Sequence, residues 1–167
     1  MSTTEQTQQQ QGLPTGTWAT DSVHSEIGFS VDYMAGTFRG TFSNFEARLD
    51  GGAIEGSAEV PSVHVKDANL EAHLQGPDFF DAERNPRLTF TSQNVRRTGD
   101  EVMIAGEITI RGETQPLNLK GTLKDPITDP FGNERFGLSS RGCSTARSSA
   151  SSGTTRCRVA MPRSQTR

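Results

Sequence analysis

Cysteine is missing from the first 142 residues of this 167-residue chain; the two that exist, Cys143 and Cys157, lie near its end. A disulfide-built or Cys-metal core in the body is thereby excluded. Apolar runs of membrane-spanning length are also missing. Polar aromatics are scarce: nine Phe stand against one Trp and one Tyr, a set suited to lining an apolar interior with no polar handle to satisfy. That fits a packed core or a greasy pocket. The residues up to Gly16 carry too little apolar surface to order themselves, with a Gln run at Gln8 to Gln11, and a disordered leader is expected there. They lack the basic start, apolar stretch and cleavage site of a secretory signal, so a cytoplasmic location is expected. Acid is absent after Gly142: residues 143–167 hold five Arg and no Asp or Glu, while residues 1–142 hold 12 basic and 20 acidic side chains. An acidic body argues against a nucleic-acid partner.

What is present is alternation. The length supports one domain with tails. Ile27, Phe29, Val31 and Tyr33 follow period two, which predicts a strand over Glu26–Tyr33. Phe38, Gly40 and Phe42 continue it, and Phe45, Ala47 and Leu49 change phase, as a bulge or bend does. Asp50-Gly51-Gly52 marks a turn. Further alternating segments run over Ile54–Val60, Val63–Val65, Leu88–Ser92, Val102–Ile110, Leu117–Leu123 and Phe136–Ser140. Arg111 to Thr114 reads as a tight hairpin. Between Asp67 and Gln75 the spacing becomes four, through Ala68/Ala72 and Leu70/Leu74, with Asp67 as N-cap and Gly76-Pro77 as the stop. Seven or eight strands joined mostly by hairpins, with one short helix, predict an all-β antiparallel barrel or sandwich. Period alone does not choose between them.

Asp21, His24 and Ser25 stand close together before the first strand. As an acid, a base and a nucleophile they invite a catalytic reading, but three residues within five positions of an extended segment seldom converge on one point. Hydrogen bonding at the strand entrance is the simpler role. The segment His73-Leu74-Gln75-Gly76-Pro77-Asp78-Phe79-Phe80-Asp81 gives the pattern more content. With Trp18, Asp21, His24, Ser25, Gly40, Phe42, Pro86, Gly106, Ile108, Thr109, Ile110 and Gly112, the stretch from Thr17 to Arg141 resembles the YceI-like family. Where many members of that family carry His after the first strand, this chain has Tyr33.

The resemblance implies a lipocalin-like antiparallel barrel that holds a long isoprenoid lipid, a polyprenyl phosphate or an isoprenoid quinone, for storage or transport and without covalent chemistry. Each buried methylene of such a tail contributes about 0.8 kcal/mol, so an apolar tunnel suffices for binding. The residues assigned to the ligand are Phe29, Val31, Phe38, Phe42, Phe79, Phe80, Phe90, Ile104, Ile108, Leu117 and Leu119, with Asp21, His24 and Ser25 at the entrance. No cofactor beyond the lipid is expected. No metal is expected either, since three His at unrelated spacings form no ligand pattern. Transient membrane contact and a dimer are left open. Three alternatives stand beside this reading: Phe side chains that simply fill the barrel, an enzyme acting on a lipid or quinone through Asp21, His24 and Ser25, and a stress-related interaction scaffold. Phe79 and Phe80 suit an anchor better than a gate, and His24 and His73 suit loop fixing better than ligation.

From Gly142 onward the resemblance ends. The family continues with an Asp-Arg-x-x-Phe-Gly-x-x-Trp-Asn segment and a last apolar strand that closes the barrel, whereas residues 142–167 are basic and Ser/Arg-rich. One reading is a basic arm. The other is a changed reading frame: with GC-rich codons, the same stretch read one nucleotide back is compatible with VLDREEFGLKWNNPLPSGDA, a family-like ending. On either reading the closing strand is missing or replaced.

Overall fold

The computed structural model describes residues 13–33, 35–143, 145–148 and 151–154. Among them are twelve strands, one 3₁₀ turn at Val60–Ser62 and one α-helix. The strands are β1 (Thr17–Ala19), β2 (Ile27–Tyr33), β3 (Gly36–Phe42), β4 (Phe45–Asp50), β5 (Ala53–Glu59), β6 (Val63–His64), β7 (Arg87–Thr98), β8 (Glu101–Ile110), β9 (Glu113–Thr128), β10 (Glu134–Cys143), β11 (Thr145–Ser148) and β12 (Ser151–Thr154). The expected count of seven or eight is too low. Trp18 sits in a three-residue strand too short to show a period, and the terminal stretch contributes a hairpin of its own.

All strand pairs are antiparallel. Seven strands form one sheet in the order β1-β4-β5-β7-β8-β9-β10, and β2-β3-β6 form a second. The larger sheet curls so far that its two edges meet at one end: the rings of Trp18 on β1 and Phe136 on β10 pack edge to face, 4.5 Å between centroids. Phe136 stands where the β9–β10 register shifts between Arg135 and Gly137, a bulge that directs it inward. The result is a half-barrel, lipocalin-like, with β2-β3-β6 facing its open side. Neither β10 nor β2 has a second strand partner among the described residues. Where the resemblance placed a closing strand, β12 of the terminal hairpin runs beside β2 without joining its sheet.

Two apolar clusters fill the interior. One belongs to the curled sheet and includes Trp18, Leu49, Val102, Leu123 and Leu138. The other joins β2, β3 and β6 to the helix through Ile27, Phe29, Phe42, Val63 and Leu74. The helix α1 (Ala68–Gln75) begins where the sequence places it: the Asp67 carboxylate accepts from the backbone N–H of Asn69 at 2.8 Å and of Leu70 at 3.1 Å. The β8–β9 hairpin turns on Arg111 and Gly112, whose φ values of 55° and 73° match a two-residue primed turn.

Candidate functional site

The inward side chains of β4, β5, β7, β8, β9 and β10, with Ile27 of β2, enclose a narrow cavity of about 50 Å³. Period two is what directs them there: Ile104 and Ile108 on β8, Leu117 and Leu119 on β9, and Leu138 and Ser140 on β10 share one face. Across β4-β5-β7 the register sets Ala47 opposite Gly56 and Gly56 opposite Phe90, so two small residues stand in a row beside a large ring. The Phe90 ring lies over Gly106, where an added Cβ would come within 2.7 Å of it. Phe29 lies in the same way over Gly40, at 2.5 Å. No charged side chain lines the cavity among the described residues.

Of the residues assigned from sequence, Phe90, Ile104, Ile108, Leu117 and Leu119 line this cavity. Phe29, Phe42, Phe79 and Phe80 belong to the second cluster instead, with Phe80 5.4 Å from Phe29 and 5.8 Å from Phe42. Phe79 and Phe80 are held by a loop that hydrogen-bonds back to the helix end, Phe79 N–H to Gly76 O at 3.1 Å and Phe80 N–H to Leu74 O at 3.0 Å. Arg111 Nη2 adds a 2.9 Å bond to Pro77 O. His73 stacks edgewise on Phe79 at 5.1 Å, which is a loop-fixing contact. The backbones of Val31 and Phe38 pair across β2 and β3, but their side chains lie outside the described set.

The three polar residues assigned to the entrance do not share one site. Asp21 caps its own turn through Val23 N–H at 2.9 Å. Its Oδ2 also receives His24 Nδ1 at 2.8 Å and Arg135 Nη1 at 2.8 Å. Arg135 in turn donates through Nε to Asp129 at 2.7 Å. This chain of charges clasps the two edges of the curled sheet, beside the Trp18–Phe136 contact. The hydrogen bond from His24, followed by those from the Val23 N–H and Arg135, holds the Asp21 carboxyl down from 3.8 to about 2. The N–H of Asn133, then Arg135, does the same for Asp129, also to about 2. Both carboxylates in return raise the Arg135 guanidinium. The Ser25 hydroxyl is buried with no hydrogen-bond partner among the described residues, so no relay runs from it to His24.

Ile27, Ala47, Ile54, Gly56, Ser57, Leu88, Leu138 and Ser140 line the cavity without being among the residues assigned from sequence. Each belongs to an alternating segment, and all but Ser57, which is out of phase with its neighbours on β5, share the inward phase of Phe90 or Ile104. A larger cleft of about 390 Å³ opens elsewhere on the surface, with Glu26, Arg39, His64, Lys66 and Arg141 around it. Its charged rim suits solvent better than a hydrocarbon. No group of three His, Cys, Asp or Glu arranged to hold a metal ion occurs among the described residues. No helix among them is long and apolar enough to cross a membrane.

The family model of the YceI-like domain matches residues 18–156. The protein YceI of Escherichia coli O157:H7 is 31% identical over 127 residues, a match covering 71% of this chain and 66% of that protein. The chain thus spans just under two thirds of the length of that relative. Among solved structures, Burkholderia cenocepacia BcnA superposes with a TM-score of 0.70 at 18% identity, covering 87% of this chain and 99% of BcnA. A polyisoprenoid binding domain from Saccharophagus degradans, implicated in plant cell wall breakdown, gives a TM-score of 0.67 at 10% identity, covering 89% and 98%. At these identities the two structures bear on the fold alone.

Proposed function

The chain belongs to the YceI-like domain family, and from that premise we propose that it binds a long isoprenoid lipid between its two apolar clusters and stores or carries it without chemical change. The observation that carries this reading is the cavity wall: inward residues from seven strands converge on one space, and none of them is charged. The same fold in Saccharophagus degradans is that of a polyisoprenoid binding domain, the ligand class proposed here. At about 50 Å³ the cavity is far below the ~300–1,000 Å³ of ordinary ligand pockets, so a polyprenyl chain has to part the two clusters to enter. The tail would recover their lost contacts at about 0.8 kcal/mol per methylene. A non-enzymatic role is supported by the entrance residues, whose carboxylate and imidazole serve a structural clasp while the serine hydroxyl meets neither.

Gentle purification followed by native mass spectrometry and organic extraction tests the proposal. The expected result is a bound mass that extraction identifies as a polyprenyl phosphate or a prenylated quinone. Folded protein that carries no lipid and takes up none of either class when they are supplied would refute it.

A further inference from the structure

We infer that the end of the molecule held by the Asp21–Arg135–Asp129 clasp docks on the surface of a lipid bilayer, with Phe131 and Val23 as its anchors. Four large apolar side chains are exposed among the described residues, Val23, Met103, Ile127 and Phe131, and all but Met103 belong to the segments that the clasp joins. Each of the three is tied to one member of it. The Asp21 carboxylate accepts from Val23 N–H and the Asp129 carboxylate from Phe131 N–H, both at 2.9 Å. Ile127 is the cross-strand partner of Arg135, so the two share a face of the β9–β10 hairpin. The guanidinium that bridges the two carboxylates therefore also fixes two turns relative to each other, each presenting an apolar side chain two residues after its Asp.

Exposed apolar residues scattered singly need no explanation, but three gathered on one ion network do. Phe131 is 87% and Val23 82% exposed, so both stand clear of the protein body. The Phe131 turn is also stiff: Asn133 N–H at 2.9 Å and Gly132 N–H at 3.0 Å close onto the same Asp129, so seating the ring costs little ordering entropy. Together the three side chains offer on the order of 400 Å², about half the ~800 Å² that each partner of a stable protein interface buries. A projecting tip of that size would also need matching pits in a protein, whereas burial in a bilayer is non-directional and needs none. Arg135 is already met by two carboxylates, so the contact is apolar and calls for no anionic headgroup. The choice of partner rests on the lipid-carrier reading. The placement agrees with it: the Asp21 turn leads into β2, where Ile27, four residues after Val23, already lines the cavity.

The test floats the full chain with phosphatidylcholine vesicles, and with vesicles that add phosphatidylglycerol, at low and high salt. The parent protein should float with both kinds, and salt should leave the bound fraction unchanged. Phe131→Ser should lower the vesicle partition coefficient about tenfold or more, and Val23→Ser about fivefold. Met103→Ser, at the exposed apolar side chain outside the clasp, should leave it unaltered, and thermal melts equal to the parent's show that all three variants are folded. Phe131→Trp should bind at least as well, and its emission should shift to the blue when vesicles are added, a change that the buried Trp18 does not supply. The inference is overturned if the parent protein stays off both kinds of vesicle, or if Phe131→Ser and Val23→Ser bind as well as the parent. Binding that requires phosphatidylglycerol and is lost in high salt would assign the contact to the arginines of residues 143–167 and overturn it too. Self-association without vesicles that Phe131→Ser abolishes would make a second copy the partner, and would overturn it equally. If the parent floats as expected but holds no isoprenoid in detergent by native mass spectrometry, the docking surface stands and the lipid-carrier reading falls.

Discussion

Ala47→Leu should close the binding space while leaving the fold in place. Ala47 is 6% exposed and lies opposite Gly56, so close that a Cβ on that glycine would be 3.8 Å from its own. Leucine adds three carbons to a cavity of about 50 Å³ that both residues line. A ligand tail excluded from that volume loses the burial of about three carbons, about 2.4 kcal/mol at ~0.8 kcal/mol each, or roughly 50-fold in affinity. Folding gains a comparable burial term, which overpacking strain of about 1–3 kcal/mol offsets, so the net stability change stays within about 1 kcal/mol. The assay pairs a thermal melt of the lipid-free protein with lipid titration followed by native mass spectrometry. Unaltered lipid affinity in a variant whose melt is also unaltered would refute the reasoning and move the ligand out of this cavity.

The clasp at the edges of the curled sheet should give stability a pH dependence. Asp21 and Asp129 titrate near 2 when folded and near 3.8 otherwise, so their contribution is whole above about pH 4 and fades as pH falls toward 2. Urea midpoints across that range should fall less steeply in Arg135→Gln, which already lacks the shared cation, and an identical slope would contradict the assignment. Asp67→Ala should cost about 1 kcal/mol through loss of the helix cap, with Asp67→Asn recovering most of it, as measured by chemical denaturation. Exchanging residues 143–167 for VLDREEFGLKWNNPLPSGDA should yield a more stable monomer or defined dimer by size exclusion and thermal unfolding, because an unpaired sheet edge invites association. Equal behaviour of the two chains would instead make the terminal hairpin a genuine part of the fold.

Sequence period located the elements wherever one face is buried and one is wet. β2 and β8 show this, as does α1, whose Asp67 cap is a local device readable without tertiary context. Alternation predicts β7 only as far as Ser92, yet the strand continues to Thr98. The register with β8 shifts between Ser92 and Asn94, so Val95 and Arg97 resume the inner face in the other phase and the alternation is hidden. The cavity was legible in part for the same reason: Phe90, Ile104 and Leu117 declare themselves by size, whereas Ala47, Gly56 and Ser140 contribute by being small or by lacking a partner. The bond between Asp21 and Arg135 spans 114 positions, and nothing local to either residue announces the other. Phe29 and Phe42 look identical to Phe90 in the sequence; only the division of the strands between two sheets assigns them to a different cluster.

On the proposed lipid-carrier reading, that division also constrains how a long chain would gain the interior. The end marked by Trp18 and Phe136 is held by an edge-to-face ring contact and by the Asp21–Arg135–Asp129 clasp, so opening there breaks charge-assisted bonds as well as apolar contacts. Separating neighbouring strands within the curled sheet breaks a backbone ladder, which is worse still in an apolar surrounding. The boundary between the two sheets is different: no strand of β2-β3-β6 pairs with the larger sheet among the described residues, and Ile27 of the smaller sheet already forms part of the cavity wall. Parting the sheets there breaks no strand ladder; it gives up apolar contacts, which an entering hydrocarbon replaces, and polar bonds at the loops, such as that from Arg111 to Pro77. The aromatic set of Phe29, Phe42 and Phe80 would then move as one body with β2, β3 and α1, bringing side chains that lie outside the present cavity into contact with the bound tail.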